Sequence, residues 1–435
     1  MDFGYSDKVE ALRAKVGDFM NEHVVPLHRQ FLAEAAERRY PLSFMEDLKA
    51  LARSEGLWNL FLPGLKDDEP GARLTNLEYA PLAEIMGQLP WASEAFNCSA
   101  PDTGNMELLH MFGTPDQRAR WLTPLLNGEI RSCIAMTEPD VASSDATNVT
   151  TAIRRVGDTY VIDGRKWFIT GALNPACKLA IVMGKTDTQA DTHRQQSMCL
   201  VPMNTPGLKV VRNISVMNHV SHETHCEIVF KNVTVPASSL LGEEGAGFAM
   251  AQARLGPGRI HHCMRSIGQA ELALSLMIDR SLERKTFGKY LHEQGVIQEM
   301  IANSRCEIDQ ARLLVLRTAW LIDKQGVKAA RNTIAMIKVV VPRMQLAVID
   351  RAIQCFGAMG LSPDTPLPDL WTMGRALRIA DGPDEVHLRS IARSEIKAGR
   401  EKYGATQRYL SGPDRSAEVN LWTDQPTRGG GGNQG

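Results

Sequence analysis

The stretch RIADGPDEVHLRS, residues 378 to 390, sets three carboxylates, Asp381, Asp384 and Glu385, around a Gly-Pro pair. A carboxylate held beside a weakly acidic C–H can act as a general base. The same residues also make an ordinary helix start: Asp381 can cap, Pro383 fits a first turn, and Asp384 and Glu385 face the positive end of a helix dipole. Other parts of the chain must decide between the two. IAMTEPDVASSDAT, at 134 to 147, and KWFITGALN, at 166 to 174, carry hydroxyls, backbone amides and a flat indole. Such groups suit a planar ring with polar edges, although each stretch alone reads as strand and turn. ERKTFGK, at 283 to 289, offers arginine and threonine, which suit a pyrophosphate through charge-assisted and hydroxyl hydrogen bonds. By itself it is a solvated helix end.

Several chemistries lack their residues. No GxGxxG follows a strand and no GxxxxGK[ST] is present, so a Rossmann or P-loop site has no support. Ser143-Ser144 lacks a GxSxG setting. His261-His262 are adjacent rather than four apart and cannot form a helical ligand pair, so no metal site is expected. Eight cysteines, at 98, 133, 177, 199, 226, 263, 306 and 355, include no CxxC, which fits reduced, cytoplasmic usage. With 43% hydrophobic and 23% charged residues and a net charge of -1, the chain has no bulk attraction to nucleic acid or a membrane surface. The N-terminus is charged within its first ten residues, without a signal-peptide pattern, and no run of 18 apolar residues predicts a membrane span.

The elements that must position these residues change texture along the 435-residue chain. Residues 1–130 read as helical, with apolar positions three and four apart in VEALRAKVGDFM and SFMEDLKALARSEGL. Residues 131–240 read as β-rich: LAIVMG, MCLVPM, LKVV and EIVFKNVTVP are strands, and TYVIDGRKWFIT turns at Asp163-Gly164 as a two-residue hairpin. GEEGAGF joins this segment to helices over 241–405. There Ile297, Ile301, Ile308, Ala311, Val315, Ala319 and Ile322 mark the buried face of one long helix. The Gly-rich end, 406–435, reads as a flexible tail. The fold class is α+β, and clefts between such domains are where cofactors commonly bind.

Four motifs in this order resemble the acyl-CoA dehydrogenase family over nearly the whole chain, up to about residue 405. They are Thr137-Glu138-Pro139 with Ser143, the strand Trp167-Phe168-Ile169-Thr170, the run Glu283 to Lys289, and QCFGAMG from Gln354 to Gly360. The resemblance implies an N-terminal helical domain, a middle β-barrel-like domain and a C-terminal four-helix bundle. It implies FAD as cofactor, with Met136, Thr137 and Ser143 around the flavin and Phe168, Ile169 and Thr170 packed on its ring. Arg284, Thr286 and Phe287, with Gln354 and Gly357, match segments that hold the pyrophosphate and adenosine across a subunit interface, which implies a homodimer or homotetramer. Pro383 and Glu385 fall at the flavin's edge.

For the substrate, an acyl-CoA thioester, the resemblance implies contacts from Ser143, Arg259 and Gly382, and it places Asp381 where the family carries its catalytic glutamate. The implied reaction is desaturation to the trans-2-enoyl-CoA, with an electron-transfer flavoprotein as acceptor. A family oxyanion site would use the backbone N–H at the base position and a flavin ribityl hydroxyl. Aspartate shortens the arm by one bond, about 1.5 Å, and burial in a water-poor pocket should raise its pKa. The A-D-G-P-D-E-V-H run and NCSAPDTGNMELLH, at 97 to 110, resemble a branch whose animal members are fused to a phosphotransferase-like domain. A flavin oxidase of the same fold, or a flavin-bearing protein that binds acyl-CoA without turnover, are the competing readings.

Overall fold

The computed structural model describes residues 4–402 apart from 38, 40 and 219–223, so the tail expected over 406–435 lies outside the described residues. Helices α1 (Asp7–Phe19), α2 (His28–Ala36), α3 (Met45–Ser54), α4 (Asn76–Gly87) and α5 (Asp102–Phe112), then the short α6 (Pro115–Gln117) and α7 (Thr123–Leu126), come first. Their starts follow local chemistry. Ser6 accepts from Val9 N at α1, and Thr75 and Glu78 form a reciprocal capping box at α4, satisfying amides that a helix N-terminus leaves open.

The middle of the chain forms one sheet: β1 (Arg131–Ala135), β2 (Ala152–Val156), β3 (Thr159–Thr170), β4 (Cys177–Lys185), β5 (Gln196–Pro202), β6 (Leu208–Asn213), β7 (His225–Pro236) and β8 (Leu240–Leu241). Strand order is β6-β7-β3-β2-β4-β5-β8, with β1 parallel to β4. The period of two in β4 explains its unbroken apolar run. Leu179, Ile181 and Met183 enter a core shared with the helices. Ala180 and Val182 enter a second core with Cys133, Ala135, Ile153 and Val201.

The Asp163-Gly164 pair, expected as a hairpin turn, lies inside β3. The chain instead turns at Gly157-Asp158, where Val156 pairs with Thr159. Asp163 is occupied across the sheet: its Oδ1 accepts from Asn232 N at 2.7 Å and its Oδ2 from Arg154 at 2.5 Å. Gly164 is required by close approach, since a Cβ there would stand 2.3 Å from Thr151 Oγ1.

Helices return with α8 (Gly247–Glu283), followed by a small hairpin of β9 (Lys285–Thr286) and β10 (Lys289–Tyr290). Then come α9 (Gly295–Ala329, interrupted at Gly326), α10 (Arg331–Phe356), α11 (Leu367–Leu377) and α12 (Asp384–Lys402). GEEGAGF is the joint: Glu244 accepts from Tyr160 Oη at 2.8 Å, and Gly245 N donates to Ser197 Oγ at 2.9 Å. On α9, Ile297, Ile308, Ala311, Val315, Ala319 and Ile322 are buried and Ile301 is half-buried. Helix α9 also fastens the N-terminal helices, because Asp323 accepts from Asn76 N at 3.0 Å and Leu77 N at 2.9 Å at the start of α4. The stretch Arg331–Leu361 is long and apolar enough to cross a membrane by composition, although the sequence holds no unbroken apolar run of that length. In the fold 67% of its apolar window is packed inside the protein, as a core helix is.

Candidate active site

Asp381 sits in the turn between α11 and α12, with a left-handed backbone (φ 55), and Gly382 follows at φ 101. The turn is held from several sides. Lys338 on α10, fully buried, donates from Nζ to the carbonyls of Leu377 at 2.6 Å and Ala380 at 2.8 Å. Arg259 on α8 donates from Nε to the Asp381 carbonyl at 2.8 Å. Asp384, the first residue of α12, is buried and accepts from Arg343 at 3.0 Å and Arg378 at 2.9 Å. Two of the three acids of this stretch therefore separate in role, since Asp384 is clamped structurally while Asp381 keeps its carboxylate partly open, 19% exposed. Glu385 is exposed on the first turn of α12, and Pro383 is half-buried. Glycine is needed at 382: a Cβ would stand 3.0 Å from His387 Nε2 and 3.6 Å from Arg259.

The expected raised pKa is corrected by what surrounds Asp381. Burial pushes the carboxyl up, but His262, Arg254, Lys338 and Arg259 together pull it further down, below its ordinary value. The cations Arg254, Arg259 and Lys338 come from α8 and α10, remote in sequence from the acid, while His262, depressed to about 3 by burial and by Arg265, faces it as a neutral ring. Arg254 is buried between carboxylates and donates to Asn105 Oδ1 at 3.2 Å on α5. Also on α5, Glu107 is buried near Arg254, and burial raises its carboxyl to about 8. His387, under Gly382, is buried and depressed to about 4, first by desolvation and then by Arg259 and Lys338.

Arg259 lies inside a 37-residue helix rather than at a helix start, because Gly256-Pro257-Gly258 is accommodated within α8. That places Arg259 and His262 one turn apart, on the face that meets the 381 turn. His262 Nε2 is 3.6 Å from Asp381 Oδ2. His261 points away, edge-on to Tyr79 with centroids 5.1 Å apart. Among the described residues no group of three or more His, Cys, Asp or Glu side chains gathers as metal ligands.

The turn after β1 is built around Glu138, which is buried. It accepts from Thr150 N at 2.7 Å and Thr151 N at 2.9 Å, and meets Lys166 Nζ at 2.9 Å. Lys166 also donates to the Met136 carbonyl at 2.8 Å, and Trp167 N donates to Thr137 O at 3.0 Å. Ser143 Oγ accepts from Glu138 N at 2.9 Å, so this hydroxyl closes the turn. At the end of β3 the register slips between Lys166 and Ile169, and Phe168 takes φ 51 in the bulge, 44% exposed. Ile169 is buried, and Thr170 Oγ1 lies 3.1 Å from His225 Nδ1. Met136, Thr137, Ser143, Trp167 and Thr170 are half-buried. This partly open set of apolar, aromatic and hydroxyl groups, beside a bulge that turns an aromatic outward, fits the face and edge of a flat heterocycle.

Arg284, Thr286 and Phe287 form the hairpin beyond α8, where Phe287 and Gly288 both take positive φ and Phe287 is 99% exposed. Gln354 and Gly357 are exposed at the end of α10. Arg280 lies over the Phe356 ring at 5.4 Å, so both segments share one end of the bundle. The sequence-selected residues thus fall into three groups: the 381 turn with Arg259, the cradle of Met136 to Ser143 with Phe168 to Thr170, and the exposed bundle end. Arg254, Lys338, His387 and Glu107 were given no role by sequence, and His262 was weighed only as a metal ligand and set aside. The only local signal was the polar content of RIHHCMR and DTGNMELLH on otherwise apolar helical faces.

Three family models match the chain in order: the N-terminal domain of acyl-CoA dehydrogenase over residues 6–129, the middle domain over 133–233 and the C-terminal domain over 245–396. Probable acyl-CoA dehydrogenase FadE2 of Mycobacterium tuberculosis is 56% identical over 411 residues, covering 93% of this chain and 99% of that protein. Acyl-CoA dehydrogenase family member 10 of Mus musculus is 55% identical, but its match covers 91% of this chain and only 37% of that protein. A solved structure from Mycobacterium abscessus, assigned to the acyl-CoA dehydrogenases, superposes with a TM-score of 0.88 at 48% identity, covering 91% of this chain and all of that one.

Proposed function

This chain belongs to the acyl-CoA dehydrogenase family, an oxidoreductase family, and we propose that it desaturates an acyl-CoA thioester at Cα–Cβ with Asp381 as the base. The observation that carries this reading is the Asp381 carboxylate, left partly open while Arg259 fixes its carbonyl and Lys338 that of the preceding Ala380. FAD is the family's cofactor, and the cradle of half-buried Met136, Thr137, Ser143 and Thr170, with exposed Phe168 and buried Ile169, suits its ring. Arg284, Thr286, Gln354 and Gly357 suit its phosphates and adenosine. When bound, FAD supplies the two-electron acceptor for hydride leaving Cβ.

The remaining steps belong to the chain. Asp381, held ionised by its cationic surroundings, accepts the α-proton on its carboxylate. A depressed pKa makes it a weak base, so proton removal depends on close placement and on acidifying the α-carbon. Backbone N–H groups at the 381–382 turn are the donors suited to developing negative charge on the thioester oxygen. Arg259 and Lys338 keep that turn from moving, and Ser143 and Arg259 are assigned to substrate contact.

The exposed bundle end, with Phe287 and Leu361 at 99% and 74% exposure, supports a second copy of this chain completing the FAD site, in a dimer or a dimer of dimers. An electron-transfer flavoprotein is the acceptor in this reading. The test is anaerobic mixing of FAD-loaded protein with a panel of saturated acyl-CoA thioesters. Wild type should bleach the flavin, whereas Asp381→Asn should stay yellow without bleaching. Bleaching by Asp381→Asn at the wild-type rate would remove the base assignment. Peroxide formed without added acceptor would favour an oxidase.

A further inference from the structure

We propose that His262 is the positioning residue that aims Asp381: pinned by Arg265, it presents Nε2–H to the carboxylate and fixes the direction of the short side chain in the cleft. This rests on the reading of Asp381 as the base. Arg259, His262 and Arg265 stand at successive three-residue intervals on α8 and so share a face. Arg259 holds the Asp381 carbonyl at 2.8 Å, while His262 Nε2 faces Oδ2 of the same residue at 3.6 Å. One helical face therefore meets both the main chain and the side chain of the acid.

The tautomer follows from the other side of the ring. Arg265 NH2 lies 3.1 Å from His262 Nδ1. A guanidinium has donors and no acceptor, so Nδ1 must offer its lone pair and the ring proton resides on Nε2, toward Asp381. Arg265 is itself buried, with NH1 directed at the Cys98 carbonyl at 3.4 Å. The imidazole is held well below its ordinary pKa, first by burial and then by Arg265. A neutral ring of this kind is a donor to the carboxylate, not a store for the proton it removes.

The other groups around Asp381 are engaged elsewhere. Arg254 on α8 donates to Asn105, Lys338 on α10 donates to Leu377 and Ala380, and Arg259 donates to a carbonyl. His387 on α12 packs under Gly382, and Glu107 on α5 faces Arg254, the same guanidinium that Asp381 influences. Among the described residues, His262 is the basic side chain whose nitrogen stands within 4 Å of that carboxylate. At 3.6 Å the contact is longer than a hydrogen bond, and catalytic contacts of this length tighten when substrate closes the site. An aspartate arm has little reach to correct a wrong direction, which makes such a guide valuable.

The experiment compares FAD-loaded wild type, His262→Leu, His262→Gln and Asp381→Asn, using the saturated acyl-CoA, screened from butyryl- to palmitoyl-CoA, that bleaches wild type fastest. Misplacement by about 1 Å costs about a hundredfold, so His262→Leu should lose about that factor in kcat with KM nearly unchanged. The acid limb of kcat/KM should also move to higher pH, because the carboxylate has lost a donor. His262→Gln, which keeps an N–H donor, should recover at least tenfold. FAD content and melting temperature of each variant identify a folding defect. Wild-type kcat and acid limb in His262→Leu, alongside an inactive Asp381→Asn, would overturn the positioning role and leave the base reading standing. A loss that His262→Gln does not relieve, accompanied by a lowered melting temperature, would assign His262 to packing and overturn the proposal. An active Asp381→Asn, or a wild type bleached by no thioester, would overturn the base reading and this inference with it.

Discussion

Lys166 Nζ meets Glu138 Oε1 at 2.9 Å with the two side chains 0% and 2% exposed. Removing one partner of a buried pair leaves the other charge without compensation and costs about 3–5 kcal/mol. Glu138→Ala should lower stability by about that amount in chemical denaturation. It should also reduce the flavin retained on purification, because Glu138 builds the turn bearing Met136, Thr137 and Ser143. The Glu138 carboxyl is depressed to about 2 despite burial, which raises it, because Lys166, Thr150 and Thr151 pull it down. A depressed acid stabilises the fold above its unfolded pKa, so this contribution should disappear as pH falls from about 4.5 toward 2.

Glu107 gives the opposite sign. Its folded carboxyl is raised to about 8 by burial, with Arg254 lowering it in part. A raised acid stabilises the fold below its unfolded pKa, near 4.5, and that stability is lost as pH rises toward 8. Glu107→Gln should therefore match wild type near pH 4.5. It should gain on it progressively as pH rises above that toward about 8. Denaturation midpoints measured across this range check it, and a pH-independent difference would refute it.

Gly382→Ala tests the turn directly. The new Cβ would meet His387 Nε2 at 3.0 Å with the backbone at φ 101. A strained backbone of this kind costs about 1–3 kcal/mol, and relief would shift the neighbouring acid. Flavin bleaching by acyl-CoA should slow about a hundredfold, while FAD content changes little because the cradle lies on other elements.

Phe287→Ser probes the exposed bundle end. Burying a phenylalanine contributes about 1.5–3 kcal/mol, equivalent to about a 10- to 100-fold change in affinity. In sedimentation velocity the variant should dissociate at correspondingly higher protein concentration than wild type, and FAD titration should show weaker binding. Unchanged association and FAD affinity would remove Phe287 from the interface.

The helical periodicities of the first 130 residues and of α9, and the apolar run of β4, were legible because burial imposes a regular spacing on sequence. Asp163-Gly164 was misread because a close-approach glycine and a turn glycine look alike without the opposing Thr151. The turn that carries Asp381 was located through motif order, yet the direction of the pKa shift of its acid was not legible. Arg254, Arg259 and Lys338 are separated from it along the chain, and only the packing of α8 and α10 brings them together. His262 stayed hidden in a similar way, since a histidine on an apolar helix face gives no sign of which neighbour its ring will meet.

At position 381 the main chain occupies the left-handed region, with φ 55. After glycine, asparagine and aspartate enter that region most readily, because a short polar group crowds the backbone least and can bond locally. The identity of the acid is therefore coupled to the shape of the loop that carries it. Lengthening the side chain to glutamate would trade reach for a backbone that resists it, so redesign of this position has to begin with the fold of the 378–384 segment and not with its acid.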